Sequence, residues 1–404
     1  MKKISFILPS RDNLKYLKWS YAALRKNIDP THEICVADDF SSDGTWAWCQ
    51  ETMKTDSHFK AIRNDGPTRL GHTILYDRLI NEVATNEIVM IYHADMYACP
   101  GFDQHIDRLI APGVVVSLTR IEPPLHPPGP EKILMDFKTE PELFPETAFY
   151  HWFNDTREQR KGKITEGIFA PWAIYKSDFQ SIGGHDPLYA PQSKEDSDIF
   201  NRFLLAGYKF VQTWDGCVYH MTCRGSRFNP TLTTVGTNSN EWEAQNIRST
   251  RNFLRKWGSF IVHDHLMKPI VPPKYDIGFV VKNLPTPNFL ATLEPWCSTI
   301  FIDDGKVVSD YIEFEQKNTM FDLKKRVKLR SVYYPTNDVI VEFDAKEITQ
   351  NKLEFIAKLP EILKDSGEVG VMEYDIFRIT INSLNTYEKT LIKLNNENYR
   401  RLLV

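Results

Sequence analysis

Residues 87–96 read Glu-Ile-Val-Met-Ile-Tyr-His-Ala-Asp-Met, an apolar run that breaks off into His93-Ala94-Asp95. Ile88, Val89, Met90 and Ile91 are too few to span a bilayer and too continuous for a strand with one wet face, so the run suits the interior of a mostly parallel sheet. Sheets of that kind bind ligands beyond the carboxyl ends of their strands. Asp95 stands at such an end, where a carboxylate could hold a divalent cation against a phosphate. The plainer reading is an Asp that caps the next turn.

Towards the N-terminus the same grammar repeats. Ile4 to Leu8 forms a strand that closes in Pro9-Ser10-Arg11-Asp12-Asn13, and a helix follows with Leu14, Leu17, Tyr21 and Leu24 on one side. Glu33 to Ala37 is a second strand that ends in Asp38-Asp39, and Phe40 to Thr45 is rich in side chains that start helices. Lys60 to Arg63 is a short third strand, followed by a loop over 64–71 that carries Arg69 and a helix through about Ala84. Strand, helix, strand, acidic loop and helix predict a right-handed α/β unit.

Beyond Asp95, a helix with Phe102, Ile106 and Leu109 leads to a strand at Val114-Val115-Val116. From Glu122 the pattern dissolves into Pro-Pro-Leu-His-Pro-Pro-Gly-Pro, and the stretch 121–165 reads as one long functional loop. Its aromatics, Phe144, Phe149, Tyr150, Trp152 and Phe153, argue against disorder. Order returns over Gly167 to Tyr175. Lys194-Glu195-Asp196-Ser197-Asp198 precedes a helix from Ile199 to Ala206, and Lys209 to Gln212 with Cys217 to His220 supply further strand. A helix from Glu241 to about Trp257 closes this part, and Pro269 to Pro273 is the natural linker between domains at 1–268 and 269–404.

Composition narrows the function classes. The chain of 404 residues carries a formal net charge of only -4, so neither a nucleic-acid nor a membrane-surface role is advertised. The cysteines at 35, 49, 99, 217, 223 and 297 contain no Cys-x-x-Cys pair, which fits a reducing compartment and a cytoplasmic location. No stretch reaches the ~20 apolar residues needed to cross a bilayer.

Taken in order, four pieces resemble the inverting glycosyltransferase family 2 with its GT-A fold. Val36-Ala37-Asp38-Asp39-Phe40-Ser41-Ser42-Asp43-Gly44-Thr45 is similar to the nucleotide-binding stretch Val-Asp-Asp-Gly-Ser-x-Asp-Gly-Thr. His93-Ala94-Asp95 occupies the Asp-x-Asp position. Glu195-Asp196, with Arg202 and Ala206-Gly207-Tyr208, matches the Glu-Asp motif and its helix. Gly167-Ile168-Phe169, ahead of Ile182-Gly183-Gly184-His185-Asp186, resembles the acceptor-side segment. The set covers roughly residues 1 to 260.

The resemblance implies a Rossmann-like, mostly parallel sheet flanked by helices. It implies a nucleotide-diphosphate sugar donor, a UDP-sugar favoured, and transfer to a hydroxyl of a saccharide or glycoconjugate. Pro9, Arg11, Asp38, Asp39, Arg69 and Ala94 would line the nucleotide site, with turn and cap duty the alternative for the two aspartates. Asp95 and His220, with His93, would hold Mn2+ or Mg2+. A bound cation stabilises the charge that builds on the departing diphosphate. His93 stands where the family has the first Asp of Asp-x-Asp, and an imidazole shifts preference towards Mn2+. Cys217-x2-His220-x2-Cys223 also admits a zinc reading without a fourth ligand. Asp196 would be the general base, or, with Glu195 and Asp198, a helix N-terminal carboxylate favoured by the dipole. Trp172 and Glu195 fall on the acceptor side, Trp172 either stacking on a sugar or filling the core.

Residues 274–404 carry no recognised motif but repeat the order of the first half. Ile277 to Val281 parallels the first strand, Thr299 to Gly305 the second with its double Asp, and Val339 to Lys346 the organising stretch. The expectation is a smaller α/β domain, read as a degenerate repeat, in which Lys346 replaces Asp95 and repels a cation. Parallel α/β sequences also look alike at this level. The roles open to this domain are acceptor binding, formation of a homodimer, or docking on a partner. The competing function from another class is a catalytically silent carbohydrate- or partner-binding protein on the same fold.

Overall fold

The computed structural model describes residues 1–222 and 238–394. The chain divides into two compact units, one made of Met1–Ala244 with His263–Pro269 and the other of Gln245–Val262 with Ile270–Val404.

The first unit is built on strands β1 (Ile4–Ser10), β2 (Glu33–Asp39), β3 (Phe59–Asn64), β4 (Ile88–Ile91), β5 (Met96–Ala98), β6 (Val114–Glu122), β7 (Trp172–Tyr175) and β8 (Lys209–His220). They lie in the order β3-β2-β1-β4-β7-β6-β8-β5. β1, β2, β3 and β4 are parallel, with Ile4 opposite Ile88 and Ser5 opposite Glu33. Every residue of β1, β2 and β4 is buried, which is why these strands read as continuous apolar runs. β7 is antiparallel to both β4 and β6. β8 pairs parallel with β6 and antiparallel with β5. The two strand fragments expected at 209–212 and 217–220 are one strand, with a bulge between Thr213 and Cys217.

Helices α1 (Leu14–Asn27), α2 (Thr45–Thr55), α3 (Gly71–Arg78) and α4 (Phe102–Leu109) connect the parallel strands. The stretch 121–165 is more ordered than its proline content suggests, because it contains helix α5 (Glu146–Asp155). Phe149 and Phe153, one turn apart, turn inward, and Phe149 packs against Phe137, Phe144, Tyr97 and Tyr219. Phe149 is 0% exposed, so it belongs to a core and not to a sugar-stacking platform. Helix α6 (Glu195–Leu205) begins one turn earlier than the apolar periodicity indicates, its first turn taking up Glu195, Asp196 and Asp198.

Helix α7 (Asn240–Trp257) starts in the first unit, and from residue 245 it belongs to the second. A cut at 268/269 therefore leaves with the first domain a segment whose partners lie in the second. Arg255 on that segment is fully buried and ion-paired to Glu294 and Glu315 at 2.8 Å each. Arg326 pairs with the same Glu294.

The second unit has strands β9 (Ile277–Lys282), β10 (Thr299–Ile302), β11 (Val327–Leu329), β12 (Val339–Asp344), β13 (Gly370–Tyr374) and β14 (Phe377–Ile381), ordered β11-β10-β9-β12-β14-β13. β9 is parallel to β10 and β12, with Ile277 opposite Val339, and β14 is antiparallel to β12. The first five positions thus repeat the order and direction of β3-β2-β1-β4-β7. Counting from the paired residues, Lys346 follows Val339 as Asp95 follows Ile88.

Candidate active site

The carboxyl ends of β1, β2 and β4 and the ends of β6 and β8 carry the polar residues singled out from the sequence. β4 runs out at Ile91, and His93 and Asp95 follow on the turn into β5. β8 brings His220 alongside, since it pairs opposite Met96. Ligand atoms of His93, Asp95 and His220 all lie within 4.8 Å of one another, and His220 Nε2 is 3.4 Å from Asp95 Oδ1. Two ligands sharing an ion at ~2.1 Å from each stand roughly 3–4 Å apart, so this pair fits a cation. The donor set, two imidazoles and a carboxylate, suits Mn2+ and its neighbours better than Mg2+. Cys223, the last member of the alternative zinc reading, lies outside the described residues.

The electrostatics differ sharply between the two histidines. Burial, reinforced by the neighbouring His220, pushes the His93 pKa down to about 3, leaving a neutral imidazole able to ligate. Burial also pulls His220 down, but Asp95 and Glu122 outweigh it and carry its pKa up to about 9. Glu122, at the end of β6, accepts from His220 Nδ1 at 3.0 Å. Sequence reasoning missed Glu122. Its only signal was a carboxylate closing an apolar strand immediately before Pro123-Pro124.

Asp39 is 2% exposed and its oxygens are engaged within the chain. Oδ1 accepts from Asn64 Nδ2 at 2.8 Å and Leu70 N at 3.0 Å, and Oδ2 from Gly71 N at 2.8 Å. It therefore holds the 64–71 loop and the start of α3, the capping duty considered for it at the outset. Asp38 Oδ1 accepts from Ser41 N at 3.1 Å, and Oδ2 faces Arg63 Nε at 3.3 Å. Burial raises the Asp38 pKa. Pro9 is a buried residue of β1, level with Ala37, and Ala94 is 4% exposed between the two metal-type residues. Arg11 leans on Asp12 at 3.7 Å. Arg69 donates to Gln192 Oε1 at 2.6 Å, and burial followed by repulsion from Arg11 lowers its pKa. Arg69 also faces Asp39 at 3.8 Å and Glu241 at 3.4 Å.

The loop at 64–71 and the approach to α6 are locked together. Gly71 has φ +74°, and a Cβ there would meet Pro191 O at 2.0 Å. Thr73 N donates to the same carbonyl at 3.4 Å. This packing ties the 64–71 loop to the segment that leads to Glu195 and Asp196. Burial and then the Asp196 charge push Glu195 up to about 8, while burial raises Asp196 and His185 opposes that rise. Both carboxyls therefore hold a proton more tightly than a solvated carboxylate does. Helix α3 carries His72 and Tyr76, one turn apart, with ring centroids at 5.8 Å. Tyr76 is held far above its usual pKa by burial and then by Asp196, Glu195 and Asp95. His72 is lowered to about 4 by burial and Arg69, against the pull of Asp39 and Asp95. Neither residue was singled out from the sequence, because an i, i+4 His-Tyr pair also reads as a plain core face.

Trp172 requires a correction. It is 0% exposed and packs edge-on against Phe200 and Phe203, so no ring face is open to an acceptor. As a residue of β7 between β4 and β6 it is surrounded by sheet and helix.

A parallel sheet of this order, with ionisable groups gathered at its strand ends, defines the class of α/β proteins that bind ligands at that edge. Residues 5–182 match the sequence model of glycosyl transferase family 2, which identifies a domain of that family in this part of the chain. No curated protein matches the chain. Among solved structures it is similar to GalNAc-T7 with UDP, GalNAc and Mn2+ (14% identity, 64% of this chain and 48% of that one, TM-score 0.44). It is also similar to the mannosyltransferase PcManGT of Pyrobaculum calidifontis with GDP-Man and Mn2+ (16%, 63% and 63%, 0.40). TarS 1-349 of S. aureus with UDP is a third (16%, 54% and 60%, 0.39). The chain thus spans less than two thirds of each, and at these scores the likenesses carry no functional weight.

Proposed function

We propose that this protein is a metal-dependent inverting glycosyltransferase that moves a sugar from a nucleotide-diphosphate sugar, a UDP-sugar by preference, to a hydroxyl of a saccharide or glycoconjugate. The observation that carries the reading is the meeting of His93, Asp95 and His220 within 4.8 Å of one another, in a chain whose Glu195 and Asp196 both have raised pKa values.

His93, Asp95 and His220 would hold Mn2+, which when bound supplies Lewis-acid stabilisation of the leaving diphosphate. Arg11 and Arg69 add positive charge on the same side. Asp39 acts on the donor indirectly, by fixing the loop that carries Arg69. Asp196 takes the proton from the acceptor hydroxyl as that oxygen attacks the anomeric carbon on the face opposite the diphosphate. Glu195, its pKa pushed up to about 8, offers the acceptor a hydrogen-bond donor. A cytoplasmic location accords with free, buried cysteines at 35, 49, 99, 217 and 297. Among the described residues no helix is long and apolar enough to cross a membrane.

A panel of nucleotide sugars, scored by thermal shift with Mn2+ and then by release of nucleoside diphosphate, tests the proposal. Release that requires Mn2+ and is lost in Asp95→Ala supports the enzyme. Donor binding without turnover on any acceptor would instead favour the silent binding protein.

A further inference from the structure

Glu122 is 1% exposed. The geometry is a buried four-way junction. Oε1 lies 3.0 Å from His220 Nδ1 and 2.9 Å from Arg120 Nη1, and Oε2 lies 3.2 Å from Lys132 Nζ. The side chains of Arg120 and Lys132 are each only 7% exposed. Arg120 comes from the same strand, and its guanidinium sits 4.0 Å from the Phe169 ring centroid. Lys132 arrives from the far side of the proline-rich loop, delivered by a two-residue pairing that sets Ile133 against Ile121 and Leu134 against Glu122.

We propose that Glu122 is the positioning residue of the metal centre, and that Lys132 makes the proline-rich loop part of that centre. By accepting from Nδ1, Glu122 fixes the His220 tautomer and ring orientation, with Nε2 aimed at the side where Asp95 Oδ1 stands 3.4 Å away. Neutral imidazole has one N–H and one lone pair, so a donor to Glu122 at Nδ1 is a lone pair at Nε2. Lys132 holds the second carboxylate oxygen, which stops Glu122 from swinging to meet Arg120 alone. Cation affinity and the anchoring of the loop between Pro123 and Lys132 are therefore coupled. This inference rests on the metal-dependent reading above.

The test is Mn2+ binding to the full chain, followed by electron paramagnetic resonance with no donor sugar present. Glu122→Gln should weaken Mn2+ binding ~10–100-fold, the usual range for a ligand's outer partner. It should also diminish the nitrogen spin-echo modulation of bound Mn2+ at matched occupancy. Lys132→Met should weaken binding less, and limited proteolysis between 123 and 132 should be slowed by Mn2+ in wild type and not in this variant. Metal-free circular dichroism reports folding. If Glu122→Gln does not fold, the charge-balanced Glu122→Gln/Lys132→Met double variant carries the same comparison. Wild-type affinity and nitrogen signature in the Glu122 variant, with both diminished in His220→Ala, overturns the positioning role alone. A wild-type chain that does not take up Mn2+ overturns the metal reading together with it.

Discussion

His220 Nε2 stands 3.4 Å from Asp95 Oδ1, brought there by the antiparallel pairing that sets His220 opposite Met96. Met221 N adds a hydrogen bond to the Asp95 carbonyl at 3.1 Å, so backbone geometry holds the two side chains together before any cation binds. In the metal-free protein the proton on His220 supplies positive charge between Asp95 and Glu122.

That proton has a pH signature. The His220 pKa is raised in the folded chain to about 9 from ~6.5 in the unfolded one. Its stabilising contribution in the metal-free protein is therefore full below pH ~6.5 and lost as pH rises through about 9. Metal must displace the proton. Calorimetry in buffers of different ionisation enthalpy should report about one proton released per Mn2+ bound near neutral pH, with affinity rising towards pH 9. Binding that neither releases a proton nor tightens with pH would exclude His220 as a ligand.

The carboxyl pair predicts unequal mutants. Asp196→Asn should lower kcat by ~10²–10⁴ with little change in melting temperature. Glu195→Gln should cost much less below pH 8, because Glu195 is already protonated there. Equal losses at the two positions would remove the base from Asp196.

Gly71 is where the 64–71 loop touches the segment leading to Asp196. With φ +74° and a Cβ contact of 2.0 Å to a backbone carbonyl, Gly71→Ala cannot relax by a rotamer change. We expect a loss of about 3 kcal/mol in urea denaturation. Donor KM should rise with it, because the same shift withdraws the Gly71 N–H from Asp39. A stable variant with unchanged KM would show that the 64–71 loop is independent of the acceptor side.

In the second unit, Arg255 answers both Glu294 and Glu315, all three 0% exposed in their side chains. Arg255→Met leaves two carboxylates sharing Arg251 and Arg326, and breaking a buried pair this way costs ~3–5 kcal/mol. For the same reason a fragment starting at residue 270 should fail to fold, whereas one starting at residue 245 should give a cooperative thermal transition. Cooperative folding of the shorter piece would restore the boundary at 268/269.

How far the site could be read in advance varied with the kind of residue. His93, Asp95, Asp38, Asp39 and the Glu195-Asp196 pair sit at strand ends or a helix start, positions set by local hydrophobic period, so their place was legible. Their partners were not. Glu122 and Lys132 looked like the margins of a structureless loop, and α5 was hidden because its inward stripe, Phe149 and Phe153, is short and flanked by prolines. Trp172 illustrates the converse: an aromatic near an acceptor motif invites a binding role, and only the packing of β7 between two strands denies it one.

The sequence by itself determined the α/β class, the alternation of strands and helices in both units, and which ends of the strands would be polar, because these follow from backbone periodicity and side-chain burial over a few residues. Tertiary structure alone decided that Asp39 accepts from its own loop, that His220 stands between Asp95 and Glu122, and that the latter half of α7 belongs to the second unit. Those outcomes depend on which distant segments become neighbours in the sheet, and hydrogen-bond and ion-pair partners chosen at that range leave no periodic trace in the chain.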